Sequence, residues 1–255
     1  MKGFINNRNN CYFNVSLKAL LTVCENVDIE CGSESSTFTL LFMRLLKAYR
    51  YPDVQHIDPL PLLHTFIENF PRFTVDDQHD VQECILCLID ILERDIPVFK
   101  RIFYGVRENQ TIYPSGKNYR DEIFSMYILE YEKGKTFGEL FNKSLKWNTI
   151  ENYEDDDGQL HHLATVRQII KTPPRVLMIS FDSKSHIEVP EEFLGYRLIF
   201  SGIHHGVQYG GHYICAIKRD DKWYVNDDMN ILQCESFPTL DGHYVLIYIP
   251  ETPEF

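Results

Sequence analysis

No apolar run in this 255-residue sequence approaches the ~20 residues a bilayer-spanning helix needs. The first ten residues are polar and lack the apolar stretch of a signal peptide. Residence in a reducing compartment, cytoplasm or nucleus, is therefore expected, and the sequons at Asn109 and Asn142 should be silent. Seven cysteines are an odd number with no disulfide-framework spacing. None falls between Cys87 and Cys215. Basic residues are scarce: 25 Lys and Arg stand against 37 Asp and Glu, a formal charge of −12. That argues against nucleic acid and anionic membranes as partners. It suits a basic or Arg-bearing protein, though many proteins are acidic for solubility alone. Internal repeats and low-complexity linkers are also absent. What is present is core material: 44% of the residues are hydrophobic and 13% are aromatic, which predicts an ordered domain.

The order of periodicities predicts an α+β arrangement rather than alternating βαβ units. Phe13, Leu17, Leu20, Leu21 and Cys24 recur at helical spacing from Tyr12 to Cys24. Further helices are predicted near residues 37–49, 61–70 and 78–94, the last with Val81, Cys84, Ile85, Leu88, Ile91 and Leu92 on one stripe. The later part reads as strands: 124–130, 176–181, 213–217, 222–225 and 243–249. The run Asp155, Asp156, Asp157, Gly158 reads as a turn. A cysteine heading an early helix and a histidine heading a late strand imply a cleft between the two parts.

Three residues suit nucleophilic catalysis. Cys11 follows an Asn-rich loop and opens the first helix, where free N–H groups and positive potential favour a thiolate. Asn6 is positioned to reach back and stabilise an oxyanion, together with the Cys11 N–H. His212 follows Gly210 and Gly211 at the entrance of an apolar strand. Paired glycines permit close backbone approach and leave the imidazole accessible. Asp227 ends the next strand, beyond a hairpin turn at Asp220–Asp221, so it should neighbour His212 across the ladder and fix its tautomer. Taken singly, each has a plainer reading: a small buried residue at a helix start, a hairpin residue, a solvated Asp-Asp pair. Together they give the order Cys, His, Asp of a papain-like triad.

Four segments resemble the ubiquitin-specific proteases. Gly3 to Leu20 is similar to their Cys box, Gly-Leu-x-Asn-x-Gly-x-Thr-Cys-Tyr-x-Asn-Ser-x-Leu-Gln-x-Leu. Gln78 to Glu83 resembles the Gln-x-Asp-Ala-Gln-Glu helix start. Pro173 to Phe181 looks like the strand before the His box. Ser201 to Tyr213 with Trp223 to Asp228 resembles the His box itself. The resemblance spans the chain in order, and implies one catalytic domain over 1–255. Its fold would be papain-like, with a helical thumb to about residue 100 and β-rich fingers and palm beyond. It implies hydrolysis of the bond after the C-terminal Gly-Gly of ubiquitin, without cofactor, by Cys11, His212, Asp227 and Asn6. Substrate-binding roles are implied for Asp80, which would face Arg residues of the tail, and for His204 and Gly206 in the loop shaping the tail channel. Gly210, Gly211, Tyr213 and Asp228 join them. Ubiquitin and ubiquitinated proteins are the expected partners, and a monomer the expected state. An impaired ubiquitin-binding relative and a protease for a ubiquitin-like modifier are the alternatives.

The departures are also specific. Arg8 replaces the usual Gly and Asn10 the usual Thr, so the oxyanion loop gains a charge or a new shape. The family's paired Cys-x-x-Cys zinc sites are missing. Cys84 and Cys87 sit at helical core spacing, and His161 and His162 read as exposed loop residues, too few for a site. The aromatic and apolar set Phe124, Tyr127, Leu129, Tyr131, Phe137, Leu140, Phe141 and Trp147 is expected to replace the metal as the staple of the fingers.

Overall fold

A helix buried on every side stands at the centre of the protein. In the computed structural model, which describes residues 1–25, 27–32, 34–51, 53–207 and 210–251, all fourteen residues of α1 (Cys11–Cys24) are buried. A single apolar stripe would bury only one face, so the polar residues of α1 must find partners inside. Ser16 Oγ and Thr22 Oγ1 donate to backbone carbonyls four residues back, those of Tyr12 and Lys18. Asn14 and Lys18 bond residues of the late strands, described below.

Before α1, β1 (Gly3–Phe4) pairs in parallel with β2 (His56–Ile57). Between them lies α2 (Thr37–Arg50), N-capped by Ser36 Oγ, which accepts from the Thr39 N–H at 3.3 Å. α3 (Leu60–Asn69) begins with a proline in its first turn, as helix starts tolerate. α4 (Val81–Leu92) starts three residues later than its periodicity suggests, because Asp80 is its N-cap: Oδ1 accepts from the Glu83 N–H at 2.9 Å. Its predicted stripe is buried as expected. α5 (Val98–Phe103) completes this helical layer.

Two sheets follow. β3 (Gly105–Tyr113), β4 (Gly116–Phe124), β6 (Asn148–Glu154) and β7 (Leu160–Thr172) form an antiparallel sheet in the order β4-β3-β7-β6. The predicted turn at 155–158 joins β6 to β7. β5 (Met126–Leu129), after the chain leaves β4, joins a larger sheet. α6 (Phe137–Ser144) opens with a capping box made by Thr136 and Glu139. The larger sheet also holds β8 (Leu177–Ser185), β9 (Glu192–Phe193), β10 (Tyr196–Val207), β11 (Gly210–Arg219), β12 (Lys222–Asp227), β13 (Asn230–Cys234) and β14 (His243–Pro250). Its order is β13-β12-β11-β10-β14-β8-β5, with β9 on β10.

Alternation along the larger sheet divides the core in two. Tyr213, Cys215, Ile217, Val245, Ile247 and Ile249 join the core built on the helices. Ile214, Ala216, Leu246 and Tyr248 face the other way, into a second core with α6. Phe124, Tyr127, Leu129, Phe137, Leu140 and Phe141 belong to that second core, with Tyr131 packed on its margin. The expectation that this set staples the fingers is thus corrected: its members sit beneath the palm, and Trp147 stays 39% exposed under the Arg167 guanidinium.

The tip of the four-stranded sheet is closed by other residues. His161, expected in an exposed loop, lies in β7 and is buried, its Nε2 2.7 Å from Asp155 Oδ2. Its ring packs against Tyr113 and Tyr153, with centroids at 4.5 and 6.2 Å. His162, the next residue on the strand, points out to solvent.

Candidate active site

α1 and the start of β11 meet at the triad. Cys11, buried, is the first residue of α1, and no side chain caps that helix end. Its sulfur lies beside the His212 imidazole and acts on its titration. His212 Nε2 is 2.6 Å from Asp227 Oδ1, which leaves Nδ1 for the sulfur. The His212 pKa is raised to about 9, first by Cys11 and then by the hydrogen bond to Asp227, against partial burial. At neutral pH the imidazolium is therefore the favoured form, the state from which a proton can be given to a leaving amine.

The expected cross-strand pairing is not how Asp227 reaches His212. The β11–β12 ladder ends at Cys215 opposite Asn226, and Asp227 pairs with Asn230 of β13. Asp227 lies past the last β11 rung, and its side chain reaches the ring diagonally. Asp228 is in the left-handed region, φ 49°, at the turn into β13. Its carboxylate therefore also lies near the ring, with Oδ2 3.8 Å from His212 Nε2. The two acids do not point apart as strand neighbours would.

Asp228 is the hub of a buried polar network. Its Oδ2 accepts from Asn6 Nδ2 and its Oδ1 from Asn14 Nδ2, both at 2.8 Å. Its carbonyl accepts the Phe4 N–H at 2.9 Å. Asn6 Oδ1 in turn accepts the Asn10 N–H at 3.3 Å. Asn10 Nδ2 donates to the Ile5 carbonyl and to Asn14 Oδ1. Asn6 is thus held beside the catalytic turn with one amide hydrogen on Asp228 and one left to point elsewhere. Asn10, standing where the family has Thr, ties the loop before Cys11 to itself and to α1. The side-chain oxygens of Asp227 and Asp228 and a nitrogen of His212 lie within 4.8 Å of one another. Hydrogen bonds to Asn6, Asn14 and the imidazole already account for that convergence.

Arg8 turns away from the thiol. Its guanidinium pairs with Asp76 Oδ1 at 2.6 Å in the loop before α4, and Asn9 Nδ2 donates to the Asp76 carbonyl at 2.5 Å. Tyr12 Oη donates to the Thr74 carbonyl of the same loop. The substitution therefore joins two loops and leaves the oxyanion region without an added free charge.

The other expected binding residues gather at the mouth of the cleft. Asp80 Oδ2 accepts from Tyr244 Oη at 2.7 Å while Oδ1 caps α4. His204 and Gly206 lie on β10 rather than in a loop, opposite Tyr213 and Gly211. The His204 ring lies against Tyr213, tilted, with centroids 4.5 Å apart, and burial lowers its pKa. A Cβ on Gly211 would overlap that ring, and one on Gly206, at φ 131°, would overlap the Gly211 backbone. Gly210 has open space on its Cβ side, so of the glycine pair Gly211 is the packed member. Tyr213 is mostly buried and forms the floor. Gln78, not expected as a site residue, bridges the cleft: its Oε1 accepts the Gly211 N–H at 2.9 Å and its Nε2 donates to the Gly211 carbonyl. Gln208 and Tyr209 of the His box lie outside the described residues.

A family profile described as ubiquitin carboxyl-terminal hydrolase matches residues 2–193 and 166–248. The chain belongs to this family. Its fold is similar to a chain of the solved SAGA Ubp8/Sgf11/Sus1/Sgf73 DUB module bound to ubiquitin aldehyde, with a TM-score of 0.79 at 17% identity. The likeness covers 99% of this chain and 70% of that one, and places the family member in the papain-like α+β deubiquitinase fold. No curated protein sequence matches significantly. By likeness to that fold, we call the helical layer that begins at Cys11 the thumb, the eight-stranded sheet the palm and the four-stranded sheet the fingers.

Proposed function

We propose that Cys11, His212 and Asp227 hydrolyse the peptide or isopeptide bond after the C-terminal Gly-Gly of ubiquitin. As a member of its family the chain is a cysteine-type deubiquitinase; the residue roles are our reading. The Cys11 sulfur attacks the carbonyl of the terminal glycine, forming a thioester as the amine leaves with a proton from His212. His212, now neutral, takes a proton from water, which attacks the thioester and releases the carboxylate and the free thiol. Asp227 holds the ring in the orientation that aims Nδ1 at sulfur. Asn6 and the Cys11 N–H are the donors for the oxyanion.

The single observation that carries this reading is the convergence of Cys11 and Asp227 on the His212 imidazole, with Asp227 Oδ1 2.6 Å from Nε2 and the Cys11 sulfur helping to raise the ring's pKa. It favours a working hydrolase over a relative that only holds ubiquitin. The tail is proposed to run past the open side of Gly210 and beneath the Gln78–Gly211 bridge, with Asp80 at the entrance for an Arg of the tail. Seven free thiols suit the cytoplasm or nucleus we propose for it, and a monomer with no nucleic-acid partner is the accompanying reading. Release of aminocoumarin from a ubiquitin C-terminal conjugate tests the function, with Cys11→Ala as control. Hydrolysis by the wild type alone is expected. Turnover of a ubiquitin-like conjugate with none of ubiquitin would replace the substrate.

A further inference from the structure

Two turns beyond Cys11, α1 carries a lysine in the core. Lys18 is 1% exposed. Its Nζ donates to Asn226 Oδ1 at 2.9 Å and to the Asp228 carbonyl at 3.5 Å. It also sits 5.1 Å from the centroid of the Phe4 ring. An ammonium withdrawn from water is costly unless polar atoms and opposite charge surround it. Here burial holds the Lys18 pKa below that of an ordinary lysine, while Cys215 and the Asp228 and Asp227 carboxylates favour its charged form.

The two atoms Lys18 bonds belong to the residues on either side of Asp227. Asn226 ends the β11–β12 ladder, and Asp228 is in a left-handed conformation that a non-glycine residue keeps only when its surroundings hold it. Phe4 and Lys18 hold the Asp228 carbonyl; Asn6 and Asn14 hold its carboxylate. Of these four residues Lys18 alone brings charge, and it alone also grips Asn226.

We propose that Lys18 is a positioning residue for the acid end of the triad, fixing the Asn226–Asp228 turn from beneath and so holding the Asp227 carboxylate against His212. This rests on the triad assignment above. Lys18 touches no reacting atom; it acts through Asp227. A side chain without a donor would leave Asn226 Oδ1 without its Lys18 partner and the Asp228 carbonyl with the Phe4 N–H alone. The imidazole would then lose its fixed orientation, which a displacement of about 1 Å suffices to make costly.

Lys18→Gln and Lys18→Met separate positioning from packing. Gln keeps an amide donor for Asn226 without charge; Met keeps the length with neither. Both are measured by ubiquitin-aminocoumarin hydrolysis and by the low-field proton NMR signal of the His212 N–H shared with Asp227. We expect kcat to fall about 10- to 100-fold, more in Met than in Gln, with KM changed by less than about twofold. The low-field signal should weaken or move in both variants. Folded variants with wild-type kcat and an unmoved signal would overturn the proposal, as would a loss confined to KM. If Met does not fold, Gln decides by the same readouts; failure of Gln to fold assigns Lys18 to the core alone and also overturns it. The NMR signal needs no substrate, and wild-type hydrolysis is recorded alongside. A failure of the triad assignment is thereby distinguished from a failure of the role given to Lys18.

Discussion

Around Cys11 the polar groups are buried and satisfy one another, whereas in the fingers most are exposed and pair across strands. Asn10, Asn14, Lys18 and Asn226 are buried, and each bonds a specific partner in α1, the loop before it, or β12 and the turn after it. In the four-stranded sheet, Arg107 pairs with Glu122, Lys171 with Asp121 and Glu108, and Arg120 with Asp156. Exposed pairs of that kind contribute little each, and the backbone ladder carries the sheet. The contrast teaches where sequence is constrained: a change in the buried network leaves an unsatisfied group, while a change on the finger surface meets water.

The largest effects are expected where chemistry and network coincide. His212→Ala should lower kcat about 10²–10⁴-fold, the range for loss of a general acid–base, with little change in melting temperature. The two neighbouring acids should then separate by readout. Asp227, half exposed, should cost mainly kcat when replaced by Ala. Asp228→Ala should cost stability of about 1–3 kcal/mol, because the Asn6 and Asn14 amides lose their acceptor. Urea unfolding and steady-state kinetics on both variants check this; a larger kcat loss for Asp228 would move the orienting role to it.

Opposite pH limits sharpen the comparison. The His212 pKa is raised to about 9, so the imidazolium persists below that pH and is lost as pH rises through it. Activity should fall on the alkaline side near pH 9. In the fingers, Asp155 is held below the usual carboxylate range by its hydrogen bond to His161, and Glu122 by those to Arg107 and Asn109. Depressed carboxylates add stability that is present at neutral pH and lost as pH falls through their folded values. Finger protection in hydrogen exchange should thus weaken in acid, below the ordinary carboxylate range, with no loss there at pH 9.

The smallest effects are expected on the finger surface. Lys171→Ala should leave the melting temperature unmoved, whereas His161→Ala, which empties the buried clip on Asp155, should lower it. Elemental analysis should find well under one zinc per chain, and a chelator should change neither stability nor rate. Stoichiometric zinc would mean that the tip is held by metal and not by the clip of His161, Asp155, Tyr113 and Tyr153.

The same contrast explains what could be read beforehand. α1 and α4 announce themselves by apolar residues at helical spacing, and β8, β11 and β14 by short apolar runs, because both faces of those strands are buried. The triad was legible because Cys11, His212 and Asp227 each head or end a predicted element. β4, with Lys117, Asn118, Arg120, Asp121 and Glu122, and β6, with Asn148, Glu151, Asn152 and Glu154, are polar on both faces and carry no such period. They are strands because of their partners across the sheet. His161 looked like a loop residue for the same reason. Thr136 and Glu139 stand at capping-box spacing before α6. Gln78 lay inside the recognised helix-start motif, yet its bond to Gly211 spans 133 positions, and no local pattern encodes it. Lys18 stands where the Cys-box pattern carries Gln, and only the turn at Asp228 gives that difference a meaning.

The central claim is that Cys11 is the nucleophile and that the chain acts on the ubiquitin C-terminus. A ubiquitin bearing a C-terminal alkyne electrophile, incubated with the wild-type protein and mapped by mass spectrometry, tests it most directly. The account predicts one adduct per chain, on Cys11, lost in Cys11→Ala and slowed in His212→Ala. Labelling of Cys24, Cys84 or Cys215, or no adduct on a folded chain, would contradict it.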